Sequence, residues 1–369
     1  MGNRPGVETA QAPIAALDVA LLAQQLGAAL LRVPFRRPMR QGGSNPAVNL
    51  GICVTREVIR TFMGYASSLP IPEFRSVELV LDDICKVIMP PVVRTLDVKG
   101  HPAVLGGVPG IFYRPRQREP IGVILYLHGG GYIGTSPQMY AFFTSRVCKE
   151  TGCAVFVADY RLAPEFPYPA GEEDATAVYE ALRDLGVPNE RLFLAGDSGG
   201  GGLANSVLLS RVEHLETIRP AGLILFSPEV DLRLDEPSVT ENAHLDILPW
   251  NIPTASYLHG EDASSASVSP LNADLDGFPS TFVGWGADEM FRDPIRRYAD
   301  RLAAAGVPTH AHEFEGMFHV FQILMPWTDQ SHESFAHLGA FVQKQVAGAP
   351  AFDATVLRDI PAPGPPGGG

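Results

Sequence analysis

The chain has 369 residues, of which 46% are hydrophobic and 19% charged. That hydrophobic share excludes disorder of the whole chain, and the length suits one large α/β unit as well as two ordinary domains. With 41 acids against 28 bases the formal charge is −13, so nucleic acid is a poor partner.

The first residues, MGNRPGVETAQAP, lack the basic-then-apolar pattern of a leader, and Gly6 breaks a myristoylation pattern. Residues 14–35 lean apolar but carry Asp18, Gln24, Gln25 and Arg32, so they read as an amphipathic helix packed on the protein. Membrane contact is disfavoured on the same ground. Arg36, Arg37 and Arg40 make the one dense basic group and read as a solvated turn. Helical periodicity marks residues 16–33, 56–65 and 76–88, with Pro34, Pro38, Pro70, Pro72, Pro90 and Pro91 as punctuation. No motif in this third of the chain carries chemistry. Four cysteines without a CxxC point to free buried thiols in a reducing, cytoplasmic setting, with one disulfide left open.

From about residue 110 short apolar runs alternate with helical stretches. Strands are predicted at 121–127, 153–158, 191–195, 221–226, 281–285 and 309–314. Helices are predicted at 136–151, 171–185, 200–212, 294–305 and 329–345. This beat implies an α/β fold, a mostly parallel sheet covered on both faces, whose strands stay apolar because neither face meets water. Residues 228–275 interrupt it, and so long a connection in a compact domain is usually functional. The tail PAPGPPGGG at 361–369 cannot pack and is expected to be disordered.

Gly196-Asp197-Ser198-Gly199-Gly200 follows the apolar run RLFLA and precedes a helical stretch. G-x-S-x-G between strand and helix is the nucleophile elbow, in which a tight turn lifts a serine hydroxyl clear of the sheet edge. GDSGG also occurs in chymotrypsin-like proteases, but those are all-β and place His and Asp before the Ser. A phosphate-cradling loop would want a Lys that is missing here. His128-Gly129-Gly130-Gly131-Tyr132 follows the predicted strand at 121–127. An HGGG-type loop there supplies main-chain donors for the oxyanion of a tetrahedral acyl intermediate, and the N–H of Gly199 is the further donor. His128 itself has a structural place in that loop.

With the order Ser, acid, His, the base belongs after the last strand. His319 in Gly316-Met317-Phe318-His319 stands there, with His312 a distant second. The acid belongs in Gly286-Ala287-Asp288-Glu289-Met290-Phe291-Arg292-Asp293, where three carboxylates compete and spacing does not choose among them.

These stretches resemble the hormone-sensitive-lipase-like branch of the α/β-hydrolases, which includes bacterial family IV esterases and arylacetamide-deacetylase-like enzymes. The resemblance is carried by HGGGY at 128–132, DYRLAPEFPYPA at 159–170, GDSGGG at 196–201, SPEVDL at 227–232, SPLNADLDGFP at 269–279, YADRLAAAGV at 298–307 and GMFHVF at 316–321. It covers about residues 110–345. Two departures stand out: Gly199 replaces the family's usual Ala, and the acid's usual Asp-Pro-Leu-Arg-Asp stretch is altered. Setting YADRLAAAGV in register puts Glu289 on the acid's position, with Asp288 the alternative.

The resemblance implies an α/β-hydrolase fold with a helical cap. Residues 1–70 would form a cap segment and 71–345 the catalytic domain, with a cap insertion at about 233–265 and a partly disordered tail at 346–369. It implies a serine carboxylic-ester hydrolase that uses neither cofactor nor metal. Ser198 would be nucleophile, His319 base and Glu289 acid, with the N–H groups of Gly130, Gly131 and Gly199 as oxyanion hole. Asp159 and Arg161 would brace the oxyanion loop. Tyr132, Ile133, Phe291 and Phe318 flank the motifs and would line a pocket for a small to medium hydrophobic ester. A catalytically silent small-molecule receptor on the same fold is the alternative from another class, and such a receptor would be expected to lack nucleophile or base. An acyltransferase or lactonase would use the same triad, and a homodimer stays open.

Overall fold

The computed structural model describes residues 16–33, 46–211, 215–249, 252 and 254–362. The N-terminal leader stretch, the basic group at 36–40 and the tail from 363 lie outside the described residues.

The strands are β1 (Val98–Leu105), β2 (Val108–Pro115), β3 (Val123–Leu127), β4 (Ala154–Ala158), β5 (Leu192–Asp197), β6 (Gly222–Phe226), β7 (Thr281–Gly286) and β8 (Thr309–Phe314). The helices are α1 (Ala16–Arg32), α2 (Pro46–Ala66), α3 (Ile71–Thr95), α4 (Ala141–Thr151), α5 (Ala170–Asp184) and α6 (Ser198–Leu209). The short α7 (Leu215–Ile218), α8 (Pro237–Glu241) and α9 (Thr254–Leu258) follow, then α10 (Arg292–Ala304), α11 (Phe321–Leu324) and α12 (Asp329–Val346). The eight strands form one sheet in the order β1-β2-β4-β3-β5-β6-β7-β8. Pairing is parallel from β4 through β8 across the sheet, while β2 runs antiparallel to both β1 and β4.

Alternation along each strand divides the core. Val123, Leu125 and Leu127 of β3 enter one apolar cluster with Leu203 of α6 and Ile295 of α10. Ile124 and Tyr126 enter the opposite one with Phe143 of α4 and Phe341 of α12. No residue of β3 is exposed, as the unbroken apolar run requires. The predicted strands and helices after residue 120 all form, with ends shifted by a few residues.

In the first third one element was not predicted and one expectation fails. The chain at 98–115 forms the β1–β2 hairpin, closed by Gly106 and Gly107 at φ +59° and +81°. A Gly-Gly pair between two extended runs is a two-residue hairpin signal, overlooked because the flanking residues are not uniformly apolar. Pro90 and Pro91 do not end their helix, since α3 runs through them to Thr95. The carbonyls left without an N–H partner belong to Lys86 and Val87, which are exposed, so water satisfies them. The tail is ordered as far as it is described: Leu357 is buried in the main core, and the carbonyl of Pro361 accepts from Val104 N at 2.9 Å. The four cysteines are unpaired, three of them buried. Among the described residues no helix is long and apolar enough to cross a membrane.

Candidate active site

β5 ends at Asp197 and α6 begins at Ser198, so strand turns into helix without a linking residue. Ser198 has φ +51°, a left-handed conformation that costs a non-glycine residue free energy and is held by its surroundings. α6 starts hard against the end of β3. A Cβ on Gly200 would lie 2.1 Å from the carbonyl oxygen of Leu127. The turn therefore stands at the C-terminal edge of the sheet, with Ser198 only 7% exposed.

Asp197 ties this turn to the glycine loop. Its Oδ1 accepts from Tyr126 Oη at 2.7 Å and Gly129 N at 3.0 Å, and its Oδ2 from Tyr140 Oη at 2.8 Å. Burial pushes the Asp197 carboxyl up to about 6, against the hydrogen bonds from Tyr126 and Tyr140, which favour the charge. Tyr160 Oη donates to His128 O at 2.6 Å, and its ring stacks on the His128 imidazole at 4.5 Å. Arg161 does not brace this loop as the resemblance implied. Its guanidinium turns to α5, to Asp174, Glu173 and the carbonyl of Ala170.

The loop is gripped from the other side by α3. Arg75 Nη1 donates to Ile133 O at 2.5 Å, and Glu78 Oε1 accepts from Thr135 N at 2.5 Å. Asp82, one turn further along the same face, accepts from the Ser136 hydroxyl. Arg75 also pairs with Glu78 at 2.5 Å and Glu165 at 2.6 Å. Among the described residues none of the hydrogen bonds uses the N–H of Gly130, Gly131 or Gly199. The Gly199 Cα faces Tyr132 N closely, for a Cβ there would lie 3.1 Å from it. The three glycines named from the motifs thus sit on two segments that meet.

His319 follows β8 and Glu289 follows β7, and the loops converge. His319 Nδ1 is 3.2 Å from Glu289 Oε2, both residues being buried. Glu289 Oε1 accepts from Ser227 Oγ at 2.6 Å and Gly286 N at 2.5 Å, contacts that favour the carboxylate form. Burial opposes protonation of the His319 ring, but the hydrogen bond and charge of Glu289, with Asp246 and Asp197, outweigh it and hold the pKa above the usual 6.5. The ring also lies within electrostatic range of Glu229, whose N–H donates to Ser198 O at 2.9 Å. Asp288 is half-buried, and its N–H donates to Met317 O at 3.0 Å. His312 stands apart from this cluster, on β8, stacked on His337 at 4.0 Å.

Two residues of the cluster were missed in the sequence. Asp246 takes His319 N at 2.9 Å on Oδ1 and Met290 N at 2.7 Å on Oδ2. Ser227, besides donating to Glu289, accepts from Val320 N at 3.1 Å. The available signals were an acid embedded in the apolar HLDILPW and a Ser-Pro pair closing an apolar strand.

Of the proposed lining residues, Phe291 sets its ring edge-on to His319 at 5.1 Å. Tyr132 stacks on Tyr257 of α9 at 3.8 Å, and Ile133 is buried in the main core beside it. Phe318 is buried in a satellite core with Ile52 of α2 and Ile247. The N-terminal helices and the 233–265 insertion thus both reach the site.

Residues 124–323 match the family model for the alpha/beta hydrolase fold. An acetyl-hydrolase of Streptomyces hygroscopicus is 33% identical over 251 residues, 66% of this chain and 82% of that protein. An esterase of Acinetobacter venetianus is 31% identical over 267 residues, 71% of this chain and 86% of that protein. Among solved structures, a hormone-sensitive lipase from a metagenome library superposes with a TM-score of 0.70 at 31% identity, covering 79% of this chain and 98% of the other.

Proposed function

The chain belongs to the α/β-hydrolase family, and from that premise we propose that it is a serine carboxylic-ester hydrolase whose triad is Ser198, His319 and Glu289. The observation that carries the reading is the imidazole of His319, held by one nitrogen on the buried carboxylate of Glu289, and Ser198 supplies the nucleophile from a strand-to-helix turn at φ +51°. With Nδ1–H donated to Glu289, the other ring nitrogen is left to take the Ser198 proton. Ser198 Oγ attacks the ester carbonyl, and the oxyanion that forms accepts from the N–H groups of Gly130, Gly131 and Gly199. His319 returns the proton to the leaving alcohol, and the acyl group stays on Ser198. A water, deprotonated by His319, releases the acid. Neither step draws on a cofactor.

The named relatives, an acetyl-hydrolase and an esterase, support an ester of modest size. The aromatic residues around His319 and Tyr132 favour an apolar one. Unpaired thiols agree with a cytoplasmic setting.

Ser198→Ala is expected to lower turnover of nitrophenyl butyrate by about 10⁴-fold or more. Unchanged turnover would refute the assignment. A fluorophosphonate probe separates this reading from a silent receptor: an activated Ser198 is labelled, whereas a receptor serine is not.

A further inference from the structure

The carboxylates of this site have ample donors, with one exception. Glu289, Asp246 and Asp197 each accept at least three hydrogen bonds. Glu229 is just as deeply placed, at 1% exposure, yet among the described residues its Oε1 meets no donor. It sits on the loop leaving β6, and its N–H donates to Ser198 O at 2.9 Å, so its backbone is fixed to the elbow. Among the described residues, His319, Tyr132 and Tyr257 lie within electrostatic range of its carboxylate. Burial pushes its carboxyl up to about 7, a shift that the positive charge of His319 reduces.

An unpaired buried carboxyl is costly, and an apolar side chain of the same length would avoid the cost. Such a group in a native structure calls for an explanation, and a partner that arrives on binding is one. What arrives beside Ser198 is the substrate, on the reading of the site given above. We propose that Glu229 is a specificity-determining residue that accepts a hydrogen bond from a hydroxyl carried by the ester close to its scissile carbonyl. A hydroxyl supplies the single proton that this acceptor lacks. The substrate class is therefore a hydroxylated ester, with the donor on the acyl or the alcohol side.

Binding tests this without requiring hydrolysis. Calorimetry on Ser198→Ala compares ethyl butyrate, ethyl 3-hydroxybutyrate and 2-hydroxyethyl butyrate. One of the hydroxylated esters is expected to bind about tenfold more tightly than ethyl butyrate or better. Adding Glu229→Met should erase that preference, and adding Glu229→Gln, which keeps a neutral acceptor, should reduce it. Because the Gln variant preserves shape, it carries the test if the Met variant fails to fold. Equal affinity for the three esters, or a preference that survives both substitutions, overturns the proposal. Turnover of nitrophenyl butyrate by the unaltered protein reports separately on the hydrolytic reading.

Discussion

The main-chain N–H of His319 donates to the carboxylate of Asp246 at 2.9 Å, across 73 residues of chain. The same carboxylate takes the N–H of Met290, next to Glu289. Asp246 belongs to the insertion between β6 and β7, so one side chain of that insertion fixes the spacing between the loop of His319 and the loop of Glu289.

Asp246→Ala removes the acceptor for three buried N–H groups, those of Ile247, Met290 and His319. Leaving a buried donor unpaired costs about 1–3 kcal/mol, so a lower Tm is expected. The two loops would also drift, and a displacement near 1 Å can cost about 100-fold in rate. Steady-state kinetics on nitrophenyl butyrate should show the loss in kcat rather than in KM.

The pH profile follows from the charges around His319. Glu289 contacts the ring, Asp246, Asp197 and Glu229 lie within electrostatic range of it, and its pKa is held above 6.5. A base must be unprotonated, so kcat/KM is expected to fall as pH drops through a value above 6.5. Glu289→Gln removes the strongest support of the imidazolium, so the acid limb should move to lower pH while kcat falls. A limb that stays in place would show that Glu289 does not face the working imidazole.

Adding a single methyl at the elbow should have graded effects. A Cβ on Gly199 would lie 3.1 Å from Tyr132 N and 3.2 Å from its ring, which Tyr257 backs at 3.8 Å. Gly199→Ala is expected to fold, aided by better helix propensity, but to push the Tyr132 segment and lower kcat about tenfold. At Gly200 the Cβ would meet Leu127 O at 2.1 Å and His128 O at 2.4 Å. No side chain can yield there, so Gly200→Ala is expected to lose activity together with a large part of its stability. Melting curves and kcat for both variants check the order.

Arg75 links α3 to the loop that carries Ile133 and Thr135. It is 3% exposed and is bound to Glu78, Glu165 and the carbonyls of Ile133 and Ala163. Arg75→Met leaves Glu78 buried without its cation, a change that costs about 3–5 kcal/mol. Thermal unfolding should register it. In the fraction still folded, kcat should fall more than KM rises, because the loop that receives the oxyanion has lost an anchor.

The strand-to-helix turn at Ser198 and the glycine loop after β3 were legible in the sequence because each is a local device. Gly196-Asp197-Ser198 makes its turn from its own residues, and HGGG needs only the strand before it. The parallel sheet was legible for the same reason, since strands buried on both faces are apolar throughout. β1 and β2 were not, because partly exposed strands lose that signature and are defined by each other. The acid was open on spacing alone, with Asp288 adjacent to Glu289. Only the converging loops after β7 and β8 bring one carboxylate, that of Glu289, to 3.2 Å from the imidazole nitrogen. The contacts of Asp246, Ser227, Arg75 and Glu229 were beyond the sequence. Their roles consist of contacts with residues far along the chain, and such contacts exist only once the sheet has brought its strand ends together.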